Sequence, residues 1–212
     1  MPILRGATTF SRYRVETEKS KSPAWKRTIP AALRARAFEP LKPEIPEERS
    51  AGFVELNDHD ETQFTPASLF ELEYALFCLR VDEVRIPAAV VKDQLERWSR
   101  AFQTENHRPP VRKEKNDAKQ EIRSRLRTRF PFVSRTYDVS WNLDSGQLQI
   151  WAGSRKAVDE VEAAIEQAFK VKLVPLVPVA VAAALGISEK SLAPTPALSL
   201  PDARAEVTHG QT

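Results

Sequence analysis

The chain has 212 residues, room for one substantial domain or two small ones, with 42% apolar and 29% charged side chains, so most of it has the material to fold. No stretch approaches the roughly 20 apolar residues that span a bilayer, Met1-Pro2-Ile3-Leu4-Arg5 lacks a signal-peptide pattern, and the single cysteine, Cys78, excludes an internal disulfide framework and a cysteine-based zinc site. Net charge is only +3, yet Arg108–Arg135 holds ten basic residues against Glu114, Asp117 and Glu121, so that segment carries +7 and the remainder −4. A soluble, cytoplasmic protein is expected, with no membrane contact and a polyanion partner at a defined place.

In chain order, Leu4–Val15 alternates and predicts a strand. Trp25–Phe38 has apolar residues at a helical period that tolerates Pro30 only near its start. Glu39–Ser50, with three prolines, predicts an extended connection, and Gly52–Leu56 a short strand. Phe70–Val81 alternates throughout, and its second half is apolar on both faces, the mark of a central strand. Pro87 stands where a helix accepts its first proline. Val91, Leu95, Trp98 and Phe102 then form one helical stripe, and Asn106–Pro110 stops it. A second helix over about Lys113–Thr128 carries Ala118, Ile122 and Leu126. So short a breaker makes the two helices an antiparallel hairpin, burying Trp98 and Phe102 against Ile122 and Leu126. Tyr137–Leu143 and Gln147–Ala152 flank the turn Asp144-Ser145-Gly146. Ser154 caps a helix striped with Val158, Val161, Ile165 and Phe169, and Val171–Val174 is a last strand. The order predicts an α+β fold: an antiparallel sheet body with a β-α-β-β half (1–86), a projecting basic helical hairpin (87–132), a β-β-α-β half (133–178), and an Ala/Pro-rich disordered tail (179–212).

The hairpin carries the candidate site. Lys115, Lys119, Arg123 and Arg127 recur at steps of four, a cationic ridge about 18 Å long at 1.5 Å rise per residue, flanked by Arg112, Lys113, Arg125 and Arg129. Phosphates advance about 3.4 Å per nucleotide along one strand, so the ridge spans several. A solvated helix face is the plain alternative, but only Glu121 stands four before a basic residue, and like charges at this spacing destabilise a helix unless an anion relieves them. Phe130 and Phe132 end the helix, either as core aromatics or as an apolar wedge beside the ridge. Catalytic signatures are scarce: the six glycines are scattered, so no phosphate-cradling loop forms, and the three histidines share no ligand spacing. Asp58-His59-Asp60-Glu61 is the one acidic cluster with a metal-dependent nuclease alternative. The expectation is a protein that is not an enzyme and uses neither metal nor cofactor.

Arg85-Ile86-Pro87-Ala88-Ala89-Val90-Val91-Lys92-Asp93-Gln94-Leu95 resembles the strand-to-finger junction of the recombination-associated RdgC family. The resemblance runs through the basic hairpin to Arg129-Phe130-Pro131-Phe132. It goes on through Asp144-Ser145-Gly146, Gly153-Ser154-Arg155-Lys156-Ala157 and Lys172-Leu173-Val174-Pro175-Leu176-Val177-Pro178. It covers about Arg80–Pro178 well and the first eighty residues in element order only. It implies binding to double-stranded DNA with little sequence preference, with single-stranded DNA as a further substrate. It also implies a homodimeric ring around duplex DNA, association with the nucleoid, and restraint of the RecA recombinase by occupation of its substrate. The family's finger carries a phenylalanine implicated in DNA contact; it falls opposite Pro131, so Phe130 or Phe132 would take its place. Family members continue well past the position of Pro178, so this chain reads as a shortened member, for which an open clamp or a different dimer is expected. From the residues alone, an RNA-binding α+β domain and a protein-docking hairpin remain the alternatives.

Overall fold

The alternating runs pair into one antiparallel sheet. In this computed structural model, which describes residues 3, 9–17, 24–42 and 47–187, the elements are β1 (Ser11–Glu16), α1 (Trp25–Arg34), β2 (Arg49–Val54), α2 (Pro66–Leu69), β3 (Phe70–Glu71), β4 (Tyr74–Val84), α3 (Ala88–Asn106), α4 (Arg112–Arg127), β5 (Phe132–Asn142), β6 (Gln147–Trp151), α5 (Arg155–Phe169), β7 (Lys172–Pro175) and α6 (Pro178–Ala184). Strand order is β2-β4-β5-β6-β1-β7, with β3 on β4, and every strand pair is antiparallel. The fold is α+β, as expected. β1 leaves the N-terminal half and inserts between β6 and β7, with Ser11 opposite Ile150 and Val15 opposite Leu173.

Side chains alternate across a strand, so Ala75, Phe77, Leu79 and Val81 of β4 share one face. There they meet Val139 and Trp141 of β5, Leu148 and Ile150 of β6, and the stripes Ile29/Leu33 of α1 and Val158/Val161/Ile165 of α5. Each such large apolar side chain contributes about 1.5–3 kcal/mol on full burial, so this layer dominates the stability of the body. The opposite face of β4 presents Leu76 and Cys78 to Phe38, Val54, Leu56 and Ile3. β4 is therefore apolar on both faces and lies between β2 and β5, the central position its sequence predicts.

Several local boundaries differ from expectation. The alternating run from Phe70 is not one strand: Leu72 adopts a left-handed φ of 54°, and the chain folds back so that Glu71 faces Tyr74. Alternation cannot register this turn, because both arms keep the same period. α1 ends at Arg34 instead of Phe38, since Ala37 bridges to Phe53 and the Phe38 amide donates to the Phe53 carbonyl at 2.9 Å. Gly52 permits that approach: a Cβ there would stand 2.7 Å from the Ala37 carbonyl oxygen and collide with the Phe38 backbone. Pro30 lies inside α1, where burial of Ile29, Pro30 and Leu33 offsets the missing N–H. Pro87 caps α3 from just outside it. β1 starts at Ser11, and the part of the expected strand at 4–8 lies outside the described residues, as do residues 188–212 of the expected tail. Residues 176–212 form a second unit, whose described element α6 opens on Pro178. Among the described residues no helix is long and apolar enough to cross a membrane.

Candidate nucleic-acid interface

β4 and β5 pair from Tyr74–Asn142 to Val84–Phe132, so the chain between them leaves the sheet at one end, as α3 and α4. The two helices build a small core of their own from Val91, Ile122 and Leu126, joined by Ile86, Val90, Leu95, Trp98 and Phe130. Phe102 departs from expectation. It lies farther out, half-buried, against Trp98 (ring centroids 5.2 Å apart) and under the Arg108 guanidinium at 5.1 Å.

A clip closes the turn between the helices. His107 takes the left-handed conformation at the end of α3, and Arg108 donates two hydrogen bonds to Glu114, at 3.0 and 2.7 Å. Glu114 also accepts the Val111 amide at 2.9 Å, satisfying a donor at the start of α4. The Arg108 hydrogen bonds, then the Val111 amide, hold the Glu114 carboxyl down to about 2, against an ordinary 4.5. Arg108, one of the ten cations, is thereby committed to structure.

The four-step row does not form one exposed ridge. Four residues advance a helix about 40° beyond a full turn, so the row winds, and its lower half meets the segment preceding β2. Lys115 and Lys119 are exposed and unpaired among the described residues. Arg123 is exposed but ion-paired to Glu48, with Nε 3.1 Å from Oε1. Arg127 is only 8% exposed and donates to the Lys42 carbonyl oxygen at 2.7 Å. Its place in a phosphate-binding row is a correction: the guanidinium is spent inside the protein. Arg112, Lys113, Arg125 and Arg129 are exposed and make no ion pair among the described residues. The cationic surface is thus Arg112, Lys113, Lys115, Lys119, Arg125 and Arg129, with Arg123 shared.

The two phenylalanines separate. Phe130 turns inward and joins the hairpin core, whereas Phe132, the first residue of β5, is 52% exposed. The acidic turn is engaged locally: Asp60 pairs with Arg80, Asp58 accepts the Asp60 amide at 3.0 Å, and Glu61 accepts the amides of Thr62 and Gln63. Among the described residues no three His, Cys, Asp or Glu stand together to hold a metal. Cys78 is buried and donates to Asp138 at 3.2 Å; burial first, and the Asp138 charge second, push its thiol pKa up, which suits a packing role. Lys156, which enters the sequence pattern only within Gly153–Ala157, and Arg135, counted there only for its charge, line one cleft beside the base of the hairpin. The available signal is two cations, Arg155 and Lys156, opening a helix whose first turn holds no acid.

A sequence model of the family described as "Putative exonuclease, RdgC" matches residues 10–187. The recombination-associated protein RdgC of Psychromonas ingrahamii (strain DSM 17664 / CCUG 51855 / 37) is 32% identical over 106 residues, 49% of this chain and 34% of that protein. The match therefore spans about a third of that relative's length.

Proposed function

Because the chain belongs to the RdgC family, we propose that it is a sequence-tolerant DNA-binding protein that acts in recombination by occupying DNA, with α4 as its phosphate-contacting surface. The observation that carries this reading is the unpaired set Arg112, Lys113, Lys115, Lys119, Arg125 and Arg129, exposed on and just beyond a single helix. Such a set repels itself in water and is relieved by a polyanion. Phosphate contacts fix position and carry no base information, so sequence preference is weak. Phe132, exposed beside this surface, supplies an apolar contact that does not read base edges. The relative's printed name, a recombination-associated protein, supports the same setting. The proposal includes duplex DNA as the main substrate, single strands as a second, a homodimer on the nucleoid, and restraint of RecA by covering its substrate.

The test is a titration onto linear duplex across a salt series, wild type against Arg112/Lys115/Lys119/Arg125→Ala. Each lost phosphate contact lowers the slope of log affinity against log salt by about 0.9, so a drop of about 3–4 is expected. An unchanged slope removes α4 from the interface. Wild-type protein that ignores DNA at about 0.15 M salt would make the hairpin a protein dock, and preference for structured RNA in competition would make the body an RNA module.

The family description also carries the word exonuclease. Metal-assisted phosphodiester hydrolysis uses acidic or histidine ligands gathered at one place, and the acids of the 58–61 turn are engaged with Arg80 and the backbone. End-labelled duplex incubated with the protein and Mg²⁺ is expected to stay full length; stepwise shortening would establish a nuclease.

A further inference from the structure

We propose that the cleft between the hairpin end of β4–β5 and the start of α5 is a second phosphate-binding site, in which Arg135, Lys156 and Tyr137 grip DNA backbone passing from α4 onto the body. The inference rests on the DNA-binding reading above and adds a contact away from the hairpin. The cavity has a volume of about 400 Å³, room for a phosphate with its sugar, and Arg49, Glu83 and Glu160 complete its charged lining.

Charge decides what it takes. Both acids are already answered: Glu160 by Arg49, and Glu83 by Arg85, whose Nε lies 3.4 Å from it. Arg135 and Lys156 are exposed and make no ion pair among the described residues, and the Tyr137 hydroxyl makes no hydrogen bond there. The surplus is two cations and a neutral donor converging from two elements. A phosphodiester offers two non-bridging oxygens, which suit an Arg fork and a Lys point charge. Lys156 also sits in the first turn of α5, where a cation is unfavourable. Its neighbour Arg155 is neutralised by Asp159 at 2.8 Å; Lys156 is not.

Position decides whose phosphate it is. Arg135 lies three residues along β5 from Phe132, about 10 Å at strand rise and an odd step that puts the two side chains on opposite faces, and Arg135 pairs opposite Val81 on the sheet face that carries α5. The cleft therefore opens at the same end of the sheet as the hairpin, on the face opposite the one Phe132 occupies, and a backbone that leaves α4 can enter it without using Phe132. A free phosphate-bearing metabolite would share the chemistry but has no reason to be sited there.

The experiment compares full-length wild type, Arg135→Gln/Lys156→Gln and the charge-keeping Arg135→Lys/Lys156→Arg. Labelled linear duplex is titrated across a salt series, with circular dichroism melts to confirm folding. The Gln variant is expected to lose nearly two units of salt slope at about 0.9 per phosphate, and the charge-keeping variant to retain most of it. Combined with the α4 substitutions, the two losses should add. If wild type binds steeply and the Gln variant binds with the same slope, the cleft does not hold DNA. If that variant loses only the Tyr137 ring shift produced by inorganic phosphate, the cleft is a small-anion site, and the proposal is equally overturned. Failure of wild type to bind any DNA would instead be failure of the DNA-binding reading itself.

Discussion

Arg127 and Lys119 carry the same charge on the same helix, two turns apart, and have opposite surroundings. Lys119 faces solvent. Arg127 runs its stem through the hairpin base and gives one N–H₂ group to the Lys42 carbonyl, while its Nε is buried without a partner. Arg127→Ala is expected to destabilise the fold by about 1–3 kcal/mol, from lost packing and an orphaned carbonyl, with the DNA salt slope unchanged. Arg127→Met keeps the stem and discards the unpaired nitrogen, so it should cost less. Urea unfolding measures both; a wild-type midpoint for the Ala variant would show the residue to be idle. Nothing in the local sequence separates Arg127 from the other cations, since its burial comes from a segment some eighty-five positions earlier. The exposed members of the row were legible because their fate depends only on their own helix. Phe130 and Phe132 show the same limit: Phe130 still follows the helical stripe, its amide bonded to the Leu126 carbonyl, whereas Phe132 opens β5, and the change of period between them leaves one in and the other out.

At the scale of elements, the helical hairpin was the most legible part, because a 3.6-residue stripe and a proline breaker are local signals that packing reinforces. The break between β3 and β4 was not, because a left-handed Leu72 has no signature of the kind a glycine gives. The clip between α3 and α4 carries a pH prediction. Glu114 is held at about 2 against an ordinary 4.5. Its lowered folded value means the clip stabilises the turn fully above about 4.5, and that contribution disappears as pH falls toward 2. Side-chain carboxyl NMR should find the Glu114 midpoint near 2, returning toward 4.5 in Arg108→Ala. Amide exchange over 107–114 should accelerate only below about pH 4.5. A wild-type midpoint at 4.5 would mean that Arg108 and Glu114 do not pair in solution.

For the molecule as a whole, the excess positive charge lies in the hairpin at one end of the sheet, while the remainder of the chain carries −4. The fold class was legible from element order, yet the pairing of the strands was not, because β1 finds its partners in the distant half. On the DNA-binding reading, backbone held by the hairpin and the adjoining cleft stays at that end of the body, and a pair of chains would oppose two such ends across one duplex. If two chains enclose DNA, covalently closed circles will retain the protein through a high-salt wash that strips linear duplex of equal length. Equal loss from both would mean surface contact without enclosure.

The insertion of β1 between β6 and β7 also bears on how the chain is made. Ser11 pairs with Ile150, about 140 residues later. At about 5–20 residues per second of synthesis, β1 leaves the ribosome roughly 7–30 s before its partner strand exists. During that interval Tyr13 and Val15 have no apolar layer to join, and the strand's backbone groups are open to pairing with another nascent chain. Loop closure over such a separation is slow, so the β6-β1-β7 end of the sheet is the last to form. Binding by a chaperone to the first strand would be most useful in that window, and the finished sheet erases every trace of the wait.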